Sequence, residues 1–487
     1  MIDIAVMLGA DRKLAEIELE ETLNFEIKLA NISLLNEEQH NASLMYNPIT
    51  LSDLIKNYTY ISWREYINTL LSHHLTVTDN EFIIIESLQF LQELEKLITT
   101  TPKRILANYA IWKITEESIL YLNEKIRQVR LDYLKSMYGI IENKSRWSEC
   151  LEIIKNQLGL GLGAFYIRNY ANRNIIINEV NKISVAIKKQ FINLLKTWMD
   201  KKTRRKARDK IAAITAHISH PDELLNETIV ENYYKHLEFN DNDFLKCFLN
   251  TNRFGIDNEL SLLRKPVDKN NWIQHANVIE PNAYYYLLDN KLSASILQSE
   301  LFQYDRPKYL NYGAIGSIIG HEITHALDDV GSQYDEHGNM VDWWDPMTKK
   351  RFLKKTECII NQYSNYSIKQ IGMKVNGFNN QGENIADNGG MKIAYLAYTQ
   401  WLKKNKKYEL SLEGFTYNSK QMFWIAAANN LCSRRRLNNL KYLITASSHS
   451  PEEYRVINTF SNSREFSKDF HCSNGSKMNP VNKCIIW

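Results

Sequence analysis

Two histidines four residues apart, His321 and His325, enclose Glu322 in the run Ile318-Ile319-Gly320-His321-Glu322-Ile323-Thr324-His325-Ala326-Leu327. Positions i and i+4 of an α-helix share a face, so both imidazoles can converge on one zinc ion with Glu322 beside them as a general base. The apolar run before His321 predicts a buried helix, an expensive place for two histidines and a glutamate without partners. A third ligand is needed to close such a site. Glu383 stands 58 residues after His325 and opens a second apolar helical stretch reaching Trp401. A carboxylate there would complete a two-His, one-Glu set with a fourth position left to water, the pattern of catalytic rather than structural zinc. Asp387 shares a helix face with Glu383, and Asp328 lies three residues beyond His325. Either carboxylate can accept the free ring N–H of a ligand histidine, fixing its tautomer and raising its basicity.

The elements that must position these residues sit in a chain of 487 residues, long enough for two or three domains. A hydrophobic share of 44% and a charged share of 24% are those of a globular protein, and only 18 glycines and nine prolines predict a helix-rich fold. A net charge of +4 gives no global case for nucleic acid or a membrane surface. The densest basic run, Lys201 to Lys210, reads as a solvated helix face. No stretch approaches the roughly 20 apolar residues of a membrane span. The amino-terminal MIDIAVMLGADRK lacks the basic region and long apolar run of a signal peptide.

Residues 1 to 200 read as helix after helix, with amphipathic spacing over Leu14–Ala30, Phe82–Leu97 and Val185–Trp198. Gly159 to Gly163 (GLGLG) lacks the lysine and preceding strand of a phosphate loop and reads as a turn between helices. Residues 201–238 look like a polar helical connector with a boundary at His220-Pro221-Asp222, and 239–270 are mixed, with Asn-Asp turns. Asn282-Ala283-Tyr284-Tyr285-Tyr286 follows Pro281 and suggests an edge strand. Asp335 to Asn339 has turn chemistry, and Val341-Asp342-Trp343-Trp344 reads as packing. The tail holds Ser448-His449-Ser450-Pro451, a helical stretch Glu452–Phe470, and Cys484-Ile485-Ile486-Trp487. The cysteines (Cys150, Cys247, Cys358, Cys432, Cys472, Cys484) are too scattered for zinc knuckles or redox pairs. Sequons at Asn31, Asn41, Asn57, Asn143, Asn226, Asn365 and Asn474 would make the chain a glycoprotein on a secretory route.

Taken together, His321-Glu-Ile-Thr-His325, Glu383-Asn-Ile-Ala-Asp387, Asn282-Ala283-Tyr284-Tyr285 and the terminal Cys-x-x-Trp resemble the neprilysin and endothelin-converting-enzyme family of zinc metallopeptidases. Trp198-Met-Asp-Lys-Lys-Thr-Arg and Val341-Asp-Trp-Trp add to the resemblance, which runs the length of the chain. It implies a mainly α fold: a thermolysin-like α/β catalytic domain over 239–487, a connector over 201–238, and an all-helical capping domain over 1–200 lacking its amino-terminal part. It implies one Zn2+ held by His321, His325 and Glu383, with Glu322 deprotonating a zinc-bound water. Asp387 and Asp328 would orient His321 and His325, His449 would stabilise the oxyanion, and Arg455 would hold a substrate carbonyl. Asn282 and Ala283 would pair with the backbone of an oligopeptide cut on the amino side of a large apolar residue. Cys358 and Cys484 would be bridged. Family members act at the extracellular face of the plasma membrane or are secreted; no nucleic-acid partner is expected, and no signal or anchor is expected within this sequence.

The chain also departs from the family. Relative to its members, this chain starts inside the helical domain, and the usual partners of Cys150, Cys432 and Cys472 would lie in the missing segment. Leu431 stands where a tryptophan is usual, Cys432 is followed by Ser-Arg-Arg-Arg, and Leu292 to Gln298 replaces a proline-containing segment. A second reading follows, a truncated non-catalytic or decoy form that binds zinc and peptides without efficient turnover. A third, structural zinc or no metal, is disfavoured by the lack of cysteine ligands.

Overall fold

A computed structural model describes every residue except 72–73, 171–173, 240–241, 296, 298–299, 406–408 and 410–411. Asn240 and Asp241 of the expected turns, and Ile296 and Gln298 of the departing segment, lie outside the described residues. Contacts divide the chain into Met1–Ile153 with Tyr234–Val267, and Ile154–Tyr233 with Asp268–Trp487. This division runs differently from the 1–200, 201–238 and 239–487 units expected from sequence. Among the described residues no helix is long and apolar enough to cross a membrane.

The first unit is helical with a small two-stranded antiparallel sheet among the described residues. Helix α1 (Arg12–Ile32) starts where the Asp11 side chain accepts the Leu14 N–H, and it packs on α2 (Lys103–Ser118) through an edge-on Phe25–Tyr109 pair. Strand β1 (Asn47–Thr50) pairs antiparallel with β2 (Phe82–Ile85). The helix expected from Phe82 therefore starts late, at Leu88, with the Ser87 hydroxyl capping Phe90 N–H. Three successive isoleucines explain the difference, because β-branched side chains fit a pleated surface better than a helix. Residues 239–270 contain a helix, Phe244–Leu260, that belongs with this unit.

The second unit holds the candidate site. Gly159-Leu-Gly-Leu-Gly163 is the first turn and a half of helix α3 (Gly159–Tyr170), where a turn was expected. Its glycine content serves close approach: a Cβ on Gly163 would lie 2.9 Å from Val278 Cγ2. Helix α4 (Asn174–Leu195) buries Val180, Ile183, Ile187, Phe191 and Leu195, an i, i+3, i+4 stripe, against α6 (Ile315–His325) and α8 (Gln381–Asn405). Amphipathic spacing announces that a helix has a buried face without saying what covers it, which is why α4 reads from sequence as part of the capping domain. The expected connector is α5 (Lys201–Ala213) followed by β3 (Thr215–Ile218), the outer strand of a sheet ordered β3-β5-β4. Strand β4 (Ala283–Tyr286) lies at the other edge, as expected, antiparallel to β5 (Lys291–Ala294).

Further helices of this unit include the short Lys308–Gly313, which buries Tyr309 and Tyr312, and α7 (Pro346–Ser364), α9 (Ser419–Asn429), α10 (Leu437–Ala446), α11 (Glu452–Asn462) and α12 (Arg464–Asp469). A bridge joins Cys358 on α7 to Cys484, anchoring the tail whose Trp487 packs on Phe191 and Phe352. The turn at Asp335–Asn339 has its carboxylate accepting the His337 and Asn339 N–H groups, and Gly338 sits at φ +84°. Trp343 and Trp344 are buried packing residues.

Candidate active site

Helix α6 turns Ile315, Ile319 and Ile323, all fully buried, into the core and leaves His321 and His325 on an adjoining face. It meets α8 at glycine. A Cβ on Gly320 would stand 2.5 Å from Gly390 O, and one on Gly390 only 2.3 Å from His321 N. The two backbones touch, which brings Glu383 and Asp387 on α8 to the histidines of α6.

Three atoms converge there. His321 Nε2 is 3.1 Å from His325 Nε2 and 3.1 Å from Glu383 Oε2, and His325 Nε2 is 3.8 Å from that oxygen. Ligand atoms about 2.0–2.2 Å from a tetrahedral zinc lie roughly 3.3–3.6 Å from one another, and each side of this triangle falls within about 0.2 Å of that range. The far ring nitrogens are held by carboxylates: His321 Nδ1 at 2.9 Å from Asp387 Oδ1, and His325 Nδ1 at 2.7 Å from Asp328 Oδ2. Both Nε2 atoms are thereby free to offer lone pairs to a cation. Buried Glu383 Oε2 meets no well-angled hydrogen-bond donor among the described residues, although His321 Nε2 and His449 Nε2 stand 3.1 and 3.0 Å from it. The donor chemistry and the unsatisfied oxygen both fit a divalent metal.

His449 approaches from the other side, its Nε2 at 3.0 Å from Glu383 Oε2, so His321, Glu383 and His449 also form a group within 4.8 Å. Its Nδ1 faces the Ser448 hydroxyl at 3.4 Å rather than a carboxylate, and its side chain is 45% exposed against 18% for His325.

Electrostatics follow from burial and pairing. Burial lowers the pKa of His321, yet Asp387 and Glu383 more than offset it and push it up to about 10. His325 rises to about 8, burial again being outweighed, chiefly by Asp328. Burial works against ionisation of Glu383 and Asp387, but His321 and His449 hold the first well below the carboxylate range, and Arg455 does most of the same for the second. Glu322, buried and facing the Tyr285 backbone N–H, is pushed up by burial against the pull of the histidines. A carboxyl that holds a proton more readily than usual suits a group that takes and returns one.

Profiles of Peptidase family M13 match residues 1–221 and 282–486. Neprilysin-2 of Drosophila melanogaster is 42% identical over all of this chain and 65% of its own length; an endothelin-converting enzyme homolog of Locusta migratoria is 34% identical over all of this chain and 68% of its own. The chain belongs to Peptidase family M13. A zinc metalloprotease of Mycobacterium tuberculosis, solved in complex with an inhibitor, superposes with a TM-score of 0.86 at 23% identity, covering 98% of this chain and 72% of that one. The M13 chain described here thus spans 65% of the first of these relatives.

Within this M13 unit the structure brings His321, Glu322, His325, Asp328, Glu383, Asp387 and His449 together. Asn282 and Arg455 join His321 and Glu322 in lining a cavity of about 240 Å3. Arg455 differs from expectation in having a protein partner: Nε and Nη2 each bond Asp387 at 2.7 Å, a two-pronged pair in a buried setting. Asn282 Oδ1 is taken by the Ala283 N–H at 2.9 Å. Cys150, Cys432 and Cys472 are unbridged. Sequence reasoning missed the cavity's apolar wall of Ile318, Met391, Leu431 and Phe460, which only tertiary packing assembles. It also missed Gly320 and Gly390, for which a glycine inside an apolar helical run was the available signal.

Proposed function

We propose that this chain is the catalytic portion of a zinc-dependent endopeptidase that hydrolyses oligopeptides on the amino side of large apolar residues. The observation that carries the reading is the convergence of His321 Nε2, His325 Nε2 and Glu383 Oε2, with both far ring nitrogens held by Asp387 and Asp328. His325 serves better than His449 as the second histidine ligand, because it is more buried and carboxylate-oriented. Zinc, when bound, supplies a Lewis acid that polarises the scissile carbonyl and acidifies water.

The chain's own residues do the rest. Glu322 takes a proton from the attacking water and returns it to the leaving amine. His449, half exposed at the cavity mouth, donates from Nε2 to the oxyanion that develops on the carbonyl oxygen. Strand β4 lies at its sheet's edge beside α6, so an extended peptide can add to it as a further strand, with Asn282 and Ala283 contributing polar backbone-binding groups. The apolar wall beside His321 supports the preference for a large apolar side chain. The Cys358–Cys484 bridge and seven sequons support an oxidising, extracellular or cell-surface location.

The test is Glu322→Gln in the zinc-loaded chain, assayed on an internally quenched peptide with phenylalanine after the scissile bond. The expected result is a fall in kcat of about 10²–10⁴-fold with one zinc still bound. Unchanged cleavage would remove Glu322 from the mechanism, and no cleavage by the parent chain would favour the decoy reading.

A further inference from the structure

His449 reaches the site on residues 447–451, the connection between α10 and α11, its half-exposed ring meeting Glu383 Oε2 at 3.0 Å through Nε2 and the Ser448 hydroxyl at 3.4 Å through Nδ1. The backbone beneath it is held as well. Ser447 donates its N–H to Leu443 O at 3.0 Å, closing the end of α10, and its hydroxyl accepts the His449 N–H at 3.0 Å. Its carbonyl accepts two side-chain amides at once, Asn379 Nδ2 and Asn380 Nδ2, each at 3.0 Å. A carbonyl oxygen has two lone pairs, and both are used. Beyond the histidine, Ser450 Oγ donates to Asn384 Oδ1 at 2.9 Å.

Asn379, Asn380, Asn384 and Ser450 are all buried, so these bonds are made out of competition with water. The asparagines are themselves tied: Asn379 N–H bonds Asn376 Oδ1, Asn380 N–H bonds Asn376 O, and Asn384 N–H bonds Asn380 O. Asn379 and Asn380 directly precede α8, and Asn384 follows Glu383 in its first turn. One helix end therefore carries Glu383 and grips the loop of His449 on both sides. A rigid element is a better platform for a donor than a loop left to itself.

We infer that Asn379 and Asn380 are positioning residues that set His449 Nε2 opposite Glu383 by clasping the Ser447 carbonyl. The inference rests on the reading of His449 as the oxyanion donor. Such a clasp acts on the transition state more than on ground-state binding, because the donor's target develops its charge only there.

The experiment is a double-mutant cycle on the whole zinc-loaded chain with the quenched peptide: Asn379→Ala/Asn380→Ala, His449→Ala, and the three together. The asparagine pair is expected to lower kcat on the order of tenfold to a hundredfold, with KM and bound zinc unchanged. It should add no further loss in the His449→Ala background. Amide exchange at His449, followed in zinc-free protein as well, should speed up at least about tenfold as the clasp opens. Equal fold-losses in both backgrounds, or unchanged exchange at His449, would overturn the inference. Full activity of His449→Ala alone would overturn the donor reading and this inference with it, whereas additive losses with His449→Ala impaired would overturn the clasp only. Asn379→Ala and Asn380→Ala singly carry the same cycle should the pair not fold.

Discussion

Replacing Gly390 by alanine should open the metal site without changing any side chain that faces it. The new Cβ would lie 2.3 Å from His321 N and 2.6 Å from Gly320 C, all backbone atoms that cannot rotate away. Ordinary contact begins at 3.4 Å, so α6 and α8 must part by about 1 Å at this point. His321 rides on one helix and Glu383 and Asp387 on the other, and their 3.1 Å and 2.9 Å separations would widen with the helices. A metal site tolerates ligand displacements of only about 0.2 Å. The expected result is a loss of zinc affinity on the order of 10- to 100-fold or more, the scale seen when oriented ligand histidines lose their support. Overpacking adds a destabilisation of about 1–3 kcal/mol. Zinc affinity is read by chelator competition and stability by urea unfolding. Gly255→Ala is the control: its Cβ would meet nothing within 4 Å in the helix Phe244–Leu260, so zinc binding should hold and stability should rise by about 0.5–1 kcal/mol. Wild-type zinc affinity in Gly390→Ala would refute the claim that this backbone contact sets the site.

Two further outcomes follow from buried charge. Arg455→Met leaves Asp387, whose side chain is 10% exposed, with His321 as its remaining charged partner and should cost about 2–4 kcal/mol in urea unfolding; adding Asp387→Asn should recover part of that, and a loss below about 1 kcal/mol for Arg455→Met would show the pair is not held as described. Lys210 is fully buried, donates to Gly331 O at 2.7 Å and Tyr334 O at 2.6 Å, and has its pKa lowered by burial from 10.5 to about 8. Because the folded pKa lies below the unfolded one, the unfolded chain binds more protons between pH 8 and 10.5, and stability from this group rises with pH across that window. The wild type should therefore gain up to about 3 kcal/mol over Lys210→Met between pH 7.5 and about 10.5, and a difference that stays flat or falls would contradict the assignment.

The sequence by itself determined the local chemistry. The i, i+4 spacing puts His321 and His325 on one face of any helix they occupy, and the same geometry pairs Glu383 with Asp387, whatever else the chain does. The Gly338 turn, the edge strand after Pro281 and the helices over Arg12–Ile32 and Gln381–Asn405 were legible for the same reason, since each is specified within a dozen or so residues. What only the tertiary structure decided depends on partners far along the chain. β3 exists because Thr215–Ile218 pairs with Lys291–Ala294, and α4 joins the second unit because α6 and α8 cover its apolar stripe. Arg455 became the partner of Asp387 across 68 residues, a choice no local pattern encodes. The convergence itself belongs to that second class. Two histidines on one helix and two acids on another become a site only because Gly320 and Gly390 let the backbones touch.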